Sequence, residues 1–95
     1  MKVRYTARAI RDLNDISVYL RSRNPAAADA VVSAIEMRIS RLPDFPWTGP
    51  ATDEAATREL SIKRYPYKVY YQVEDEDIWI LHIRHTSRRQ WQDRD

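Results

Sequence analysis

The chain has 95 residues, no cysteine and a single glycine, which excludes a disulfide framework, a thiolate metal site, a cysteine nucleophile and a glycine-rich phosphate cradle. Its length suits one domain, residues 1–95, whose core removes about 60–65% of the unfolded chain's surface from water. The net charge of +2 by itself predicts no nucleic-acid binding.

The charges are unevenly spread. Residues 1–24 hold six Lys/Arg against Asp12 and Asp15, whereas 25–57 hold Arg38 and Arg41 against five acids. Arg58, Lys63, Arg64 and Lys68 then face Glu59 alone, and Arg84, Arg88, Arg89 and Arg94 follow the acidic run EDED. A basic surface built from the C-terminal half is expected, and it would attract an acidic partner.

In chain order, VRY at 3–5 predicts a short opening strand. Thr6 is a candidate N-cap, after which Ile10, Leu13, Ile16 or Ser17, and Leu20 recur at helical spacing to about Arg23. Asn24-Pro25 signals a second helix start, because Asn accepts a backbone N–H bond and Pro at the first helical position loses none. Ala28, Val31, Val32, Ile35, Ile39 and Leu42 supply its buried stripe up to Pro43. Residues 43–57 carry three of five prolines and the glycine, so they read as a loop, with Phe45 and Trp47 expected to pin it to the core.

Leu60 and Ile62 alternate with Glu59, Ser61 and Lys63, which is strand periodicity. Tyr65, Tyr67, Val69, Tyr71 and Val73 form the inward set of the next strand, with Lys68, Tyr70 and Gln72 turned the other way. A turn at Asp75-Glu76 sets Tyr71 opposite Ile80 and Val69 opposite His82 unless a bulge intervenes. IWILHIRH, apolar on both faces, reads as a central strand. Residues 86–95 form a basic tail. The fold class is therefore α+β, an N-terminal helical hairpin on one face of an antiparallel sheet of three to four strands.

No signal peptide precedes the first elements and no run of about 18 apolar residues occurs, so a cytoplasmic location is expected. His82 and His85 point to opposite faces of a strand and no third ligand joins them, so no metal and no cofactor is expected. His82 reads as a core histidine hydrogen-bonded within the sheet; His85 is a candidate acid-base group. Ser61, Thr86 and Ser87 lie in no nucleophile motif. Asp12, Asp15, Asp75 and Asp77 read as helix-surface and turn acids. Candidates for binding a target or partner are Arg58, Arg64, Lys68, Arg84, His85 and Arg88, because arginine offers paired donors to phosphate or carboxylate.

Three blocks, DLNDISVYLRSRNPAAADAVVSAI (12–35), RELSIKRYPYKVYYQV (58–73) and ILHIRHTSRR (80–89), resemble the RelE/ParE superfamily of bacterial toxins from type II toxin–antitoxin systems. The resemblance implies a growth-inhibiting, plasmid-stabilisation type of toxin neutralised by a cognate, ParD-like antitoxin in a hetero-oligomer. RelE-like members cut mRNA on the ribosome with basic side chains on the sheet; ParE-like members poison DNA gyrase. Where RelE-like chains carry two lysines on the strand of the RELSIK block, Glu59 and Ser61 stand here, and no tyrosine follows Tyr71. Lys68, Arg84, His85 and Arg88 are what a nuclease reading retains. The blocks point to the ParE branch, with no catalytic residues, leaving a ribosome-dependent endonuclease and a non-toxic interaction module as alternatives.

Overall fold

β1 (Lys2–Tyr5), α1 (Ala7–Arg21), α2 (Pro25–Ser40), β2 (Arg58–Ser61), β3 (Tyr67–Glu74) and β4 (Asp77–His85) follow one another in a computed structural model that describes residues 1–87. The strands lie side by side in the order β1-β4-β3-β2. β2–β3 and β3–β4 are antiparallel, whereas β1 runs parallel to β4. The sheet is thus mixed. A parallel pair needs a long crossover, and the helical hairpin together with β2 and β3 supplies it.

Both helix starts are capped as their sequences predict. The Thr6 hydroxyl accepts the Ala9 N–H and the Asn24 side-chain oxygen accepts that of Ala27, with Pro25 in the first turn. α2 buries Ala28, Val31, Ile35 and Ile39, the stripe expected of it. α1 is rotated from the expected stripe: Ala9, Asp12 and Ile16 are buried, and Ile10 is 58% exposed. Asp12 is therefore not a surface acid.

The cause of that rotation lies on β4. β1 ends at Tyr5 opposite Ile80, which would leave the next stretch of β4's edge without a partner. The Thr6 amide donates to the Ile80 carbonyl (3.0 Å), the Thr6 hydroxyl donates to that of Leu81 (2.7 Å), and the Ile83 N–H donates to Asp12 Oδ2 (2.9 Å). Backbone groups away from water must find partners, so α1 is set with Asp12 inward, beside the strand.

β3 and β4 meet through a two-residue connection in which Asp75 takes the left-handed conformation (φ 50°), a position Asp tolerates. Tyr71 pairs with Ile80 as expected, but a bulge between Tyr70 and Tyr71 shifts the register, so Val69 faces Ile83 and Tyr70 faces His82. Leu81 is the extra residue. Ile78, Ile80 and Ile83 consequently all reach the core, joining Val69, Tyr71, Leu60 and the helix stripes. Each such aliphatic side chain contributes about 1.5–3 kcal/mol on leaving water.

Phe45 and Trp47 do not pin the 43–57 loop; they are 64% and 62% exposed. Tyr71, fully buried, does so instead, its hydroxyl accepting the Gly49 N–H and donating to the Pro46 carbonyl, both at 2.9 Å. Gly49 is required because a Cβ there would press into the Glu59 carbonyl and lie 3.1 Å from the Tyr71 ring.

Candidate functional site

Strand alternation divides the sheet into a helix-covered face and an outer face. On the outer face Lys68 and Arg84 are direct cross-strand partners, as are Tyr70 and His82. The Tyr70 and His82 rings stack, with centroids 4.5 Å apart and planes 11° from parallel. Glu59 on β2 sits opposite Tyr70, and its Oε1 lies 3.0 Å from Lys68 Nζ in a partly buried ion pair. That hydrogen bond, followed by the carboxylate's charge, holds the Lys68 pKa above its ordinary 10.5. Burial, then the Glu59 charge, raises that of Tyr70.

His82 is half-buried, with Nδ1 shielded from solvent and without a hydrogen-bond partner. It is therefore not the hydrogen-bonded core histidine that the sequence suggests. Burial, reinforced by the positive charges of Arg8 and Arg84, lowers its pKa to about 4. The imidazole is neutral at pH 7, which suits a flat ring stacked on tyrosine.

The remaining sequence candidates separate. Arg58 pairs with Tyr71 on the opposite face, donates to the Gly49 carbonyl (2.7 Å) and lies 4.9 Å from the Trp47 ring centroid, so it braces the loop. Arg64 occupies the β2–β3 connection at φ 53°. His85, paired with buried Tyr67 in an edge-to-face contact at 5.0 Å, also belongs to the helix side, and its Nδ1 accepts the Ser87 N–H. Arg88 lies outside the described residues. Lys68 and Arg84 are brought together; Arg58, Arg64 and His85 are not on their face.

Two features were missed from sequence. Glu59 as the counterion of Lys68 follows from β2–β3 pairing, which alternation alone does not reveal. Arg38 and Arg41 stand in a segment where acids outnumber bases, yet their i, i+3 spacing near the end of a helix puts them on one side of it, facing Lys63 and Arg64 across an open trough. Among the described residues no group of three or more His, Cys, Asp or Glu is gathered as metal ligands require, and no helix is long and apolar enough to cross a membrane.

A helical hairpin on one face of a small mixed sheet is the architecture of solved RelE/ParE toxins. The architecture superposes on a chromosomal ParDE toxin–antitoxin system from P. aeruginosa with a TM-score of 0.82 at 23% identity, covering 92% of this chain and 97% of that one. More specifically, residues 3–90 match the family model described as the ParE toxin of the type II toxin–antitoxin system parDE, and the chain belongs to that family. It is 33% identical over 90 residues to the putative toxin Y4kP of Sinorhizobium fredii, covering 95% of this chain and 92% of that protein. It is 32% identical over 87 residues to toxin RelE2 of Caulobacter vibrioides, covering 92% and 97%. A toxin of such a system has an antitoxin as its partner.

Proposed function

We propose that this toxin arrests growth by binding DNA gyrase as a protein ligand, without a hydrolytic step, and that a ParD-like antitoxin neutralises it. The observation that carries the reading is the Glu59–Lys68 ion pair at 3.0 Å. Cleavage of RNA by general acid-base chemistry needs a base near the 2′-hydroxyl and uncommitted positive charge for the developing phosphorane. Here a carboxylate neutralises the strand lysine, and the candidate acid-base histidine, His85, belongs to the other face. A paired, stacked, rigid face suits protein recognition, in which preorganised aromatic and arginine side chains supply most of the affinity.

The test is DNA supercoiling by purified gyrase. Added toxin should inhibit it and trap a cleavage complex, and cognate antitoxin should relieve the inhibition; unaffected supercoiling overturns the proposal. A second reading, a ribosome-dependent mRNA endonuclease, draws on the adjacency of Lys68 and Arg84 beside the Tyr70–His82 stack, a platform on which a nucleotide base would lie. It requires cleavage of a programmed ribosome complex that disappears in Lys68→Ala. Harmless induction without antitoxin would instead favour an interaction module.

A further inference from the structure

Two surfaces of opposite character meet at the end of α2. Between its C-terminal half and the β2–β3 connection runs an open trough with Met37 and Ile62 in its apolar lining and Arg38, Arg41, Lys63 and Arg64 around it, and no acidic residue lines it. Among the described residues none of these four cations is ion-paired, whereas Arg4, Arg21 and Lys68 each meet a carboxylate within 3.0 Å. The chain passes straight from this trough into a knuckle, the Asp44 and Phe45 amides both donating to the Arg41 carbonyl at 3.1 and 3.2 Å. Phe45 and Trp47 project from the knuckle, 64% and 62% exposed. Around them stand the exposed carboxylates of Asp44, Asp53 and Glu54, which form no ion pair among the described residues.

The knuckle is braced from beneath. The Tyr71 hydroxyl holds Pro46 and Gly49, and Arg58 holds the Gly49 carbonyl while lying against the Trp47 ring. Aromatic side chains fixed in place lose little entropy when covered, which is the property of interface anchors. The acids around the two rings repel a phosphate backbone, so a nucleic acid is a poor cover. The complementary surface is the trough of the same molecule: an apolar floor for the rings and four unpaired cations for three unpaired carboxylates. Within one chain the two patches lie side by side and Phe45 and Trp47 stay exposed, so a second copy must supply the contact.

We infer that the free toxin forms a two-fold dimer in which the aromatic, acidic knuckle of each copy seats in the basic trough of the other. Complementary patches next to each other make one self-complementary surface, as a closed two-fold pair requires. A large aromatic side chain buries about 150–250 Å². With about six-tenths of that exposed, the four rings of a pair offer about 400–600 Å² and cover about as much again, a total near 1,000 Å² at the lower limit of specific interfaces. The dimer is accordingly weak, with a Kd of about 1–100 µM. It separates on dilution, and a protein that seats on either patch competes with it. The inference needs only the free toxin and is independent of whether gyrase or the ribosome is the target.

The test is sedimentation velocity of purified toxin, without antitoxin, from about 1 to 200 µM at low and high salt. Wild type should pass from one to two chain masses, with the transition moving to higher concentration as salt screens the charged contacts. Phe45→Ala/Trp47→Ala removes the knuckle's rings, Arg41→Glu/Lys63→Glu reverses two exposed trough charges, and each should raise the Kd at least about tenfold. Lys2→Glu, on β1 at the opposite edge of the sheet, should change it less than about twofold. Mixing the first two variants is the decisive arm. The intact knuckle of one then meets the intact trough of the other, so the mixture should associate more tightly than either variant alone, which a loss of folding would not produce. Wild type that stays monomeric throughout, or dimerisation undiminished in both variants, overturns the inference. Growth beyond two copies, or a mixture no tighter than its components, overturns it as well, because the two contacts would not be reciprocal.

Discussion

Replacing Tyr71 by Phe removes one oxygen atom and isolates its work. The ring stays, so no large cavity forms, but the Gly49 N–H and the Pro46 carbonyl lose their shared partner. The Gly49 donor is buried, and an unsatisfied buried donor costs about 1–3 kcal/mol. The Pro46 carbonyl is only partly buried and regains a water, adding about 0.5 kcal/mol. A destabilisation of about 1.5–3.5 kcal/mol follows, against about 3–5 kcal/mol for Tyr71→Ala, which also empties the core beneath the loop. In a domain of this size each kcal/mol lowers the melting temperature by about 4–8 °C, so the hydroxyl alone is worth about 6–28 °C. Urea unfolding followed by far-ultraviolet circular dichroism, with the slope unchanged, is the assay. A loss below about 0.5 kcal/mol would refute the argument, because it would mean that the 43–57 loop finds its place without that tether.

Gly49→Ala should destabilise by about 1–3 kcal/mol through the clash of its methyl group with the Glu59 backbone, again read by urea unfolding; a neutral result would show that the loop yields. Asp12→Ala removes the side-chain acceptor of the buried Ile83 N–H and should cost about 1–3 kcal/mol, with faster amide exchange at Ile83 as the local signature. Lys68→Ala breaks a partly exposed pair and should cost less than about 1 kcal/mol; cooperative unfolding of that variant would contradict the assignment of Lys68 to the outer face. For His82 the unfolded imidazole takes up a proton near 6.5 and the folded one near 4, so between these values the unfolded state holds more protons and stability falls as the pH is lowered. Discounted for its partial exposure, the loss from pH 7 to pH 4 attributable to His82 is about 1–2 kcal/mol. It should vanish in His82→Phe, and a His82 titration by NMR near 6.5 would negate it.

The elements most legible in the sequence were those whose signals are local. The caps at Thr6 and Asn24, the stripe on α2, the inward set Tyr67, Val69, Tyr71 and Val73 and the turn at Asp75-Glu76 depend on neighbours a few residues apart, and the structure contains all of them, whereas Tyr65, expected in the same strand, lies in the β2–β3 connection. The misread features depend on distant partners. Asp12 is drawn inward by an amide 71 positions away, and the loop is held by Tyr71 from 22 and 25 positions away, so Phe45 and Trp47 stay outside. β1's parallel docking needs a crossover whose two ends are 72 or more positions apart in sequence. Of the charged residues, sequence alone located the strands that carry Lys68 and Arg84 but not the acid that occupies the former, because pairing decides which side chains meet.

The single supernumerary residue in β4 has an outsized effect on surface chemistry. Ahead of Leu81, even-numbered positions look toward the helices; past it, odd-numbered ones do. Straightening the strand with Leu81 kept, so that no bulge absorbs it, would exchange the parity of the strand's second half, driving the His82 imidazole and the Arg84 guanidinium into oil and turning Ile83 out to water. The protein's capacity to show histidine and arginine beside Lys68 while keeping isoleucines inside therefore resides in a phase slip of one residue, a kind of information that no composition or motif records.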